Sequence, residues 1–288
     1  MKPEILFKYT SPSTAEIILN SSRLRWSSPT LFNDIGEFNI RPSFDPSIFD
    51  SQRNLIRFIY ESQQGKNNID LERIIAPTKI IYDRVLSLVT EDRSLEFLID
   101  EYSKLVNPNT DEEIAESVIE ILNEQISSKR ILSLTSSNDN VAMWGIYAEN
   151  NKGCVFGFKS SDSDSPFQLA EQINYTDSSP SVGSGMDFIL YGGNFNELTK
   201  KTIKTVCFTK RTVWQYEQEW RLMTNRSSEG KNFGDYIFLG SELDSVTLGA
   251  NASNEFTDKI SLIVRDKYPH THLFRMVFSK GKLLREKF

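Results

Sequence analysis

The stretch Trp214-Gln215-Tyr216-Glu217-Gln218-Glu219-Trp220-Arg221-Leu222-Met223 holds two acids, a base and two indoles in a segment that otherwise has the pattern of a strand. Side chains alternate between the two faces of a strand, so Glu217, Glu219 and Arg221 should share one face. Trp220 should lie on the other face. Two like charges on one pleat repel, so a ligand, a metal ion or a neighbouring base should compensate them. The alternative is a solvated edge strand in which Arg221 pairs with both acids.

The composition is that of an ordinary globular protein. A chain of 288 residues with 39% hydrophobic side chains can form one large domain or two modest ones. A net charge of -6 argues against broad electrostatic binding of nucleic acid, but it does not exclude a local basic groove. Neither a signal-peptide core nor an apolar run of the roughly 20 residues that a membrane span needs is present, which predicts a cytoplasmic protein without membrane contact. Cys154 and Cys207 sit in apolar runs and are predicted to be buried thiols.

Hydrophobic periodicity divides the chain into strand-rich ends and a helical middle. A strand at 5–9, a capped helix from Ser11 and a strand at 24–28 come first. Residues 51–128 have helical spacing throughout. Later strands are predicted at 131–135, 153–159, 168–175, 205–209, 217–224, 236–238, 246–248 and 273–278, with a helix at 253–267 and a flexible loop at 177–185. We therefore predict one α+β domain over 1–288, with a mixed or antiparallel sheet core and a helical insertion at 51–128.

The polar and aromatic residues of the strand-rich parts concentrate in four islands. The chain has no Walker loop, dinucleotide fingerprint, Cys/His zinc pattern or serine-nucleophile elbow. The islands are 7–9, 28–37, 138–153 and 214–223. Together they resemble a bacterial domain-of-unknown-function family, family 2971, which is often encoded among phage-defence and abortive-infection genes. The sequence departs from that family at Ile35-Gly36, where a proline often follows the aspartate. It departs again at Gly145, where a histidine or other polar residue is usual, and this removes one possible general base.

The order of the first elements and the late glutamate strand is also similar to the scaffold of the ADP-ribosyltransferases. In that superfamily a polar residue on the first strand holds a ribose of NAD and an aromatic ring stacks on the nicotinamide. A glutamate stabilises the positive charge that builds on the ribose as nicotinamide leaves. These residue types suit the chemistry, because a carboxylate stabilises an oxocarbenium-like transition state and an aromatic face binds a cationic ring.

This second resemblance implies roles for particular residues. Glu219 would be the charge-stabilising carboxylate, with Glu217 as its alternate or helper and Arg221 beside them. The residues that would contact NAD are Lys8, Tyr9, Phe32, Asn33, Asp34, Trp144 and Tyr147. Each also has a structural interpretation, since aromatic residues often belong to the core, Asn-Asp pairs close turns and lysine stems cover apolar surface.

Three functions follow, in this order. The first is a phage-defence or toxin-type effector that acts as a NAD-dependent ADP-ribosyltransferase or consumes NAD. Its expected partners are a protein or nucleic-acid acceptor and a partner protein from a defence operon, and no metal is assigned. The second is a non-enzymatic sensor that binds a nucleotide or a phage component. The third is a nuclease in which Asp34, Glu37, Glu217 and Glu219 hold a divalent cation and Lys8 or Arg221 balances a phosphate.

Overall fold

The computed structural model describes residues 2–34, 36–38, 43–90, 95–161, 164–192, 195–225 and 231–288. The chain divides into two compact units. Unit 1 contains Met1–Glu37, Ser127–Asp177 and Lys210–Phe288, and unit 2 contains Phe38–Ile126 and Ser178–Thr209. Most of the predicted helical insertion lies in unit 2, which also includes Ser178–Thr209. The prediction of one domain over 1–288 stays a prediction, and Ile35 lies outside the described residues.

The elements follow one another along the chain as strands separated by single helices and by two runs of consecutive helices. The strands are β1 (Ile5–Thr10), β2 (Arg23–Ser27), β3 (Ser43–Phe44), β4 (Arg130–Thr135), β5 (Cys154–Lys159), β6 (Glu171–Gln172), β7 (Asn174–Tyr175), β8 (Ser181–Gly183), β9 (Thr209–Lys210), β10 (Glu219–Thr224), β11 (Phe233–Ile237), β12 (Leu243–Leu248), β13 (His272–Ser279) and β14 (Lys282–Lys287). The helices are α1 (Pro12–Ser21), α2 (Ile48–Gln63), α3 (Ala76–Thr90), α4 (Leu95–Ser103), α5 (Thr110–Ser127), α6 (Val141–Ile146), α7 (Gly185–Tyr191), α8 (Phe195–Cys207) and α9 (Asn254–Lys267). Turns of 3-10 helix lie at Pro29–Leu31, Pro166–Leu169, Thr212–Glu217 and Gly240–Glu242.

The predicted α+β class is confirmed by the sheet of unit 1. Ten strands of the described residues form it, in the order β11-β2-β4-β1-β5-β12-β13-β14, with β10 paired to β4 and β6 paired to β10. The sheet is mixed because β12 and β13 run parallel while their neighbours run antiparallel. A parallel pair needs a long crossover, and α9 supplies it.

The sheet splits along one edge of β4. On its other edge β4 pairs with β10 along its whole length, from Glu219 opposite Thr135 to Thr224 opposite Arg130. On the split edge it pairs with β1 only at Thr135 and with β2 only at Ile131. Since β1 and β2 leave the two ends of this edge, no strand of the described residues borders the middle of β4 there, and a cavity can open beside it.

The main core of unit 1 lies between the sheet and the helices α1 and α9. A serine caps each helix. Ser11 Oγ accepts from the Thr14 amide, where the sequence predicts a cap, and Ser253 Oγ accepts from the Phe256 amide at 3.1 Å. Fully buried side chains of strands and helices meet in this core, among them Leu6, Leu19, Phe156, Val246 and Ile260. This packing holds the sheet, and with it the split edge of β4, in position.

Unit 2 has its own apolar core, built around α2. Leu55 and Ile59 of that helix pack with Tyr82 and Leu190. The Asp111 carboxylate accepts hydrogen bonds from the first two amides of α2, at 2.7 and 2.9 Å, so a negative charge lies at the positive end of the helix dipole. Within the described ranges, every helix is too short or too polar to cross a lipid bilayer.

Several predicted strands are wrong in detail. The apolar run at 205–209 belongs mostly to α8, which continues to Cys207, and only Thr209–Lys210 is extended. A short apolar run cannot be assigned to strand or buried helix by periodicity alone. The strand predicted at 168–175 is broken into a 3-10 turn and two short strands, and the loop predicted at 177–185 contains β8. The strand β14 was not predicted.

Candidate functional site

A cavity of about 240 Å³ lies in unit 1, beside the split edge of β4. Most of the residues that the sequence assigns to the site line it, namely Lys8, Tyr9, Phe32, Asn33, Tyr147, Glu217 and Glu219. Arg221, Asp34 and Trp144 are not among its lining residues. Residues from all four islands therefore meet at this cavity. Arg221, Asp34 and Trp144 lie outside its lining and are described below.

Lys210 binds the acidic residues at one end of the cavity. Its Nζ lies 2.7 Å from Glu217 Oε2 and 3.0 Å from Glu219 Oε2. Glu37 Oε2 is further away, at 3.8 Å. The base that the repelling carboxylates require is therefore Lys210, which comes from the short strand β9 and not from β10.

Arg221 holds Glu219 from the same face of β10. Its Nε donates to Glu219 Oε1 at 2.7 Å and its Nη2 donates to Glu219 Oε2 at 3.1 Å, while Nη2 also contacts Glu37 Oε1. Arg221 is 0% exposed, and Trp220 points to the opposite face and packs in the main core. The predicted alternation is correct from Glu219 onward, but Glu217 lies before the strand begins, and the alternative of a solvated edge strand is wrong.

A left-handed residue brings the two acids together. Glu217 ends a 3-10 turn and is not part of the strand, and Gln218 has φ 46° before β10 begins at Glu219. Thr135 Oγ1 donates to the Glu217 carbonyl at 2.6 Å and so ties this turn to β4. The backbone reversal at Gln218 lets both carboxylates reach the Lys210 ammonium.

Burial dominates the electrostatics of this cluster. It raises the pKa of Glu219, although Lys210 opposes the shift. Burial alone would lower the pKa of Lys210, but the charges of Glu219 and Glu217 outweigh it and raise that pKa. Burial lowers the pKa of Arg221 to about 9, which still leaves the guanidinium protonated at neutral pH. The cluster is thus a set of mutually dependent buried charges, in which loss of one partner strands another.

Lys8 points into the cavity from β1. Its Nζ donates to the Ser133 carbonyl, in the split of β4, at 3.0 Å. Among the described residues no carboxylate lies within 4 Å of this nitrogen. Burial lowers the pKa of Lys8, and the more distant charges of Glu219 and Glu217 only partly oppose the shift. The amine is therefore held in the cavity, and the side chain is partly buried.

Tyr147 supplies an aromatic ring and a hydroxyl to the cavity. Its hydroxyl donates to Glu217 Oε1 at 2.6 Å. Burial and this hydrogen bond raise the pKa of Tyr147. Phe32 lies nearby with its ring 5.3 Å from the Arg221 guanidinium carbon, at cation–π distance. The two rings therefore flank the acidic end of the site.

Trp144 belongs to the core instead of the predicted aromatic platform. It is 0% exposed, its Nε1 donates to the Asn138 carbonyl at 2.9 Å, and its ring meets Tyr9 edge-on at 5.3 Å. Asp34 also has a structural role, because its Oδ1 accepts from the Gly36 amide at 2.9 Å and closes a turn. Of the predicted aromatic pair on α6, only Tyr147 offers its surface to the cavity.

The acids proposed as metal ligands are bound by cations of the protein. Glu37, Glu217 and Glu219 are paired with Lys210 or Arg221. In the part of the chain that the structure describes, no group of three or more His, Cys, Asp or Glu side chains is arranged to hold a metal ion. Both cysteines are buried thiols, as predicted.

The sequence interpretation missed Lys210, Ser133 and Thr135. Lys210 follows the apolar run that ends at Phe208 and stands four residues before Trp214. A single lysine at the end of a buried run was the available signal, because a charge there needs a partner. Ser133 and Thr135 lie in an ordinary strand pattern, and nothing in the sequence distinguishes them.

The comparison with protein families concerns this same region. Residues 143–222 match the family model described as protein of unknown function (DUF2971). The matched segment runs from α6 to β10 and so includes Tyr147, Lys210, Glu217 and Glu219, the residues around the acidic end of the cavity. No curated protein and no solved structure matches the chain.

Proposed function

We propose that this protein is a NAD-dependent ADP-ribosyltransferase or NAD-consuming effector of the phage-defence or toxin type, and that the cavity binds the reacting end of NAD. The observation that supports this most is the convergence of the Lys8 amine, the Tyr147 ring and the Glu217 carboxylate on one cavity. An N–H donor suits a ribose hydroxyl, an aromatic face suits the nicotinamide and a carboxylate suits the developing positive charge.

The size of the cavity limits which part of NAD enters. Pockets for small ligands usually have volumes of about 300–1,000 Å³. The cavity, at about 240 Å³, is smaller. It suits the nicotinamide ring with its ribose, and the adenine half of the dinucleotide would then lie outside.

The contacts favour Glu217 over Glu219 as the carboxylate that stabilises the transition state. Both oxygens of Glu219 accept from charged donors, with three such bonds from Lys210 and Arg221. Glu217 accepts one charged bond at Oε2, from Lys210, and its Oε1 accepts from the neutral Tyr147 hydroxyl. Its charge is less neutralised, so it can stabilise a nearby cation more strongly. This reverses the order that the sequence suggests, and Glu219 becomes the residue that positions Lys210 and Arg221.

A second candidate is the sensor module, and one observation favours it. The carboxylates are already paired with Lys210 and Arg221, so the site is preformed and close to electrically balanced before any ligand arrives. Such a site suits recognition without turnover, because preorganisation lowers the free energy that binding must spend on ordering. In that case an occupied cavity would signal to a partner protein of the defence system.

The test is to incubate the pure protein with NAD labelled in the nicotinamide ring and to measure released nicotinamide. Glu217→Gln should lower the release rate by about a hundredfold or more, the effect of removing one electrostatic transition-state contact. Glu286→Gln, on the exposed face of β14, is the matched control and should leave the rate unchanged. NAD labelled in the adenine part then separates transfer to an added protein or nucleic acid from hydrolysis.

The outcomes distinguish the candidate functions. Saturable NAD binding without nicotinamide release favours the sensor. Cleavage of RNA or DNA in Mg²⁺, with no effect of NAD, favours the nuclease. If the folded protein neither binds NAD nor releases nicotinamide, the NAD proposal is contradicted.

A further inference from the structure

The Lys8 amine is the one lysine of this cavity that no carboxylate holds within the described residues. Lys210 is fixed by Glu217 and Glu219 at 2.7 and 3.0 Å, and Lys8 Nζ has the Ser133 carbonyl at 3.0 Å instead. A carbonyl oxygen can accept from a neutral amine as well as from an ammonium ion, although the ammonium bond is the stronger one. The position therefore imposes no requirement for charge on Lys8.

The surroundings of Lys8 disfavour its charged form. It lies on the central strand β1 and faces the cavity between apolar and aromatic residues, among them Phe7 and Tyr9. The charged groups that share the cavity are Glu217, Glu219, Lys210 and Arg25. Three buried acids, Glu37, Glu217 and Glu219, face two cations, Lys210 and Arg221, which leaves one negative charge unbalanced. Burial is still the largest influence on the Lys8 pKa and lowers it. A desolvated lysine near a second cation is the setting in which a lysine becomes a nucleophile.

An acid–base pair is present in the same cavity. The Tyr147 hydroxyl donates to Glu217 Oε1 at 2.6 Å, and both side chains line the cavity that Lys8 enters. A hydroxyl backed by a carboxylate can give a proton to an oxygen and recover one from a nitrogen. Imine formation requires such a proton donor and acceptor in addition to the amine.

We propose that Lys8 is a carbonyl-reactive nucleophile and that the cavity accepts small aldehydes or ketones as imines on Lys8 Nζ. The lone pair of Nζ attacks the carbonyl carbon, a carbon–nitrogen bond forms, and the carbonyl oxygen takes a proton from the Tyr147 hydroxyl. The nitrogen returns one of its two protons to the Tyr147 oxygen, which restores the hydroxyl. The second nitrogen proton passes through the same hydroxyl to the carbinolamine hydroxyl, which leaves as water while the C=N bond forms. The amine and the carbonyl compound become the imine and one water, with no oxidant or reductant. This activity goes beyond NAD cleavage and does not depend on it.

The experiment uses the full chain, glycolaldehyde as the carbonyl probe and sodium cyanoborohydride to reduce the imine, at neutral pH. Peptide mass spectrometry measures the labelling rate of each lysine. Lys8 should be labelled at least about tenfold faster than exposed Lys282 of β14, since a tenfold difference corresponds to about 1.4 kcal/mol of amine availability. In denaturant the two rates should become equal, because the advantage of Lys8 comes from the fold.

Two variants separate chemistry from accessibility. Tyr147→Phe should slow labelling of Lys8 by about a hundredfold, the lower end for general acid–base catalysis, and leave Lys282 unchanged. Lys8→Arg removes the amine nucleophile and should show labelling only at the other lysines. The proposal is overturned if Lys8 in the folded protein is labelled no faster than Lys282, including the case in which so small an aldehyde does not reach it. It is also overturned if Tyr147→Phe has no effect on the Lys8 rate.

Discussion

Replacement of Glu219 by glutamine tests whether this residue holds the buried charges together. The carboxylate accepts three hydrogen bonds from charged donors, at 2.7, 3.0 and 3.1 Å. Bonds to charged groups contribute about 1.5–3 kcal/mol each, but the glutamine carbonyl can keep part of them. Removing one partner of a buried ion pair typically costs about 3–5 kcal/mol. We therefore expect Glu219→Gln to lower the free energy of unfolding of unit 1 by about 3–5 kcal/mol.

The assay can be confined to unit 1. The four tryptophans, Trp26, Trp144, Trp214 and Trp220, all lie in it, so their fluorescence during urea unfolding reports on this unit alone. The exposed control Glu286→Gln should change stability by less than about 0.5 kcal/mol. A loss below about 1 kcal/mol for Glu219→Gln would refute the reasoning, since the buried cluster would then tolerate a stranded cation. If Glu219→Gln abolished nicotinamide release at unchanged stability, Glu219 would instead be the catalytic carboxylate.

Three further predictions concern the same unit. Trp144→Ala should lower its free energy of unfolding by about 3–5 kcal/mol through the cavity left in the core, and unchanged urea unfolding with weakened ligand binding would instead place the indole in the site. Gly145→Ala should raise stability by roughly 0.5–1 kcal/mol, because an added Cβ meets no heavy atom within 4 Å on this helix, and a lower urea midpoint would contradict this. Tyr9, Tyr147 and Tyr175 have pKa values raised by burial, that of Tyr175 to about 12, so their stabilising effect is complete below the ordinary tyrosine pKa of about 10 and is lost as the pH rises through the raised values. Unfolding measured between pH 10 and 12 should show stability falling with pH, less steeply in Tyr175→Phe, and a flat profile would contradict the shifts.

Local patterns in the sequence were sufficient for the elements that frame the site. Strict alternation placed Glu219 and Arg221 on one face of β10 and Trp220 on the other, because that periodicity is a property of the extended backbone itself. The serine cap at Ser11 predicted the start of α1 for the same local reason. The grouping of the four islands came from the resemblance to family 2971, and the structure brings most of their predicted site residues to one cavity.

Long-range contacts account for what the sequence did not reveal. Lys210 was missed because the run before it was interpreted as a strand, whereas α8 continues to Cys207 and Lys210 ends the two-residue strand β9. Trp144 was placed in the site because an aromatic residue on a short helix has the same pattern whether its outer face meets core or cavity. Such choices depend on which partner lies opposite, and that information is not local.

A crystal structure of the protein with NAD tests the central claim most directly. The account predicts density for the nicotinamide and its ribose in the cavity beside the split of β4, with the ring against Tyr147, the ribose within hydrogen-bonding distance of Lys8 Nζ, and the ribose carbon near the Glu217 carboxylate. An empty cavity at NAD concentrations that saturate binding in solution, or the dinucleotide bound elsewhere on the chain, would contradict it.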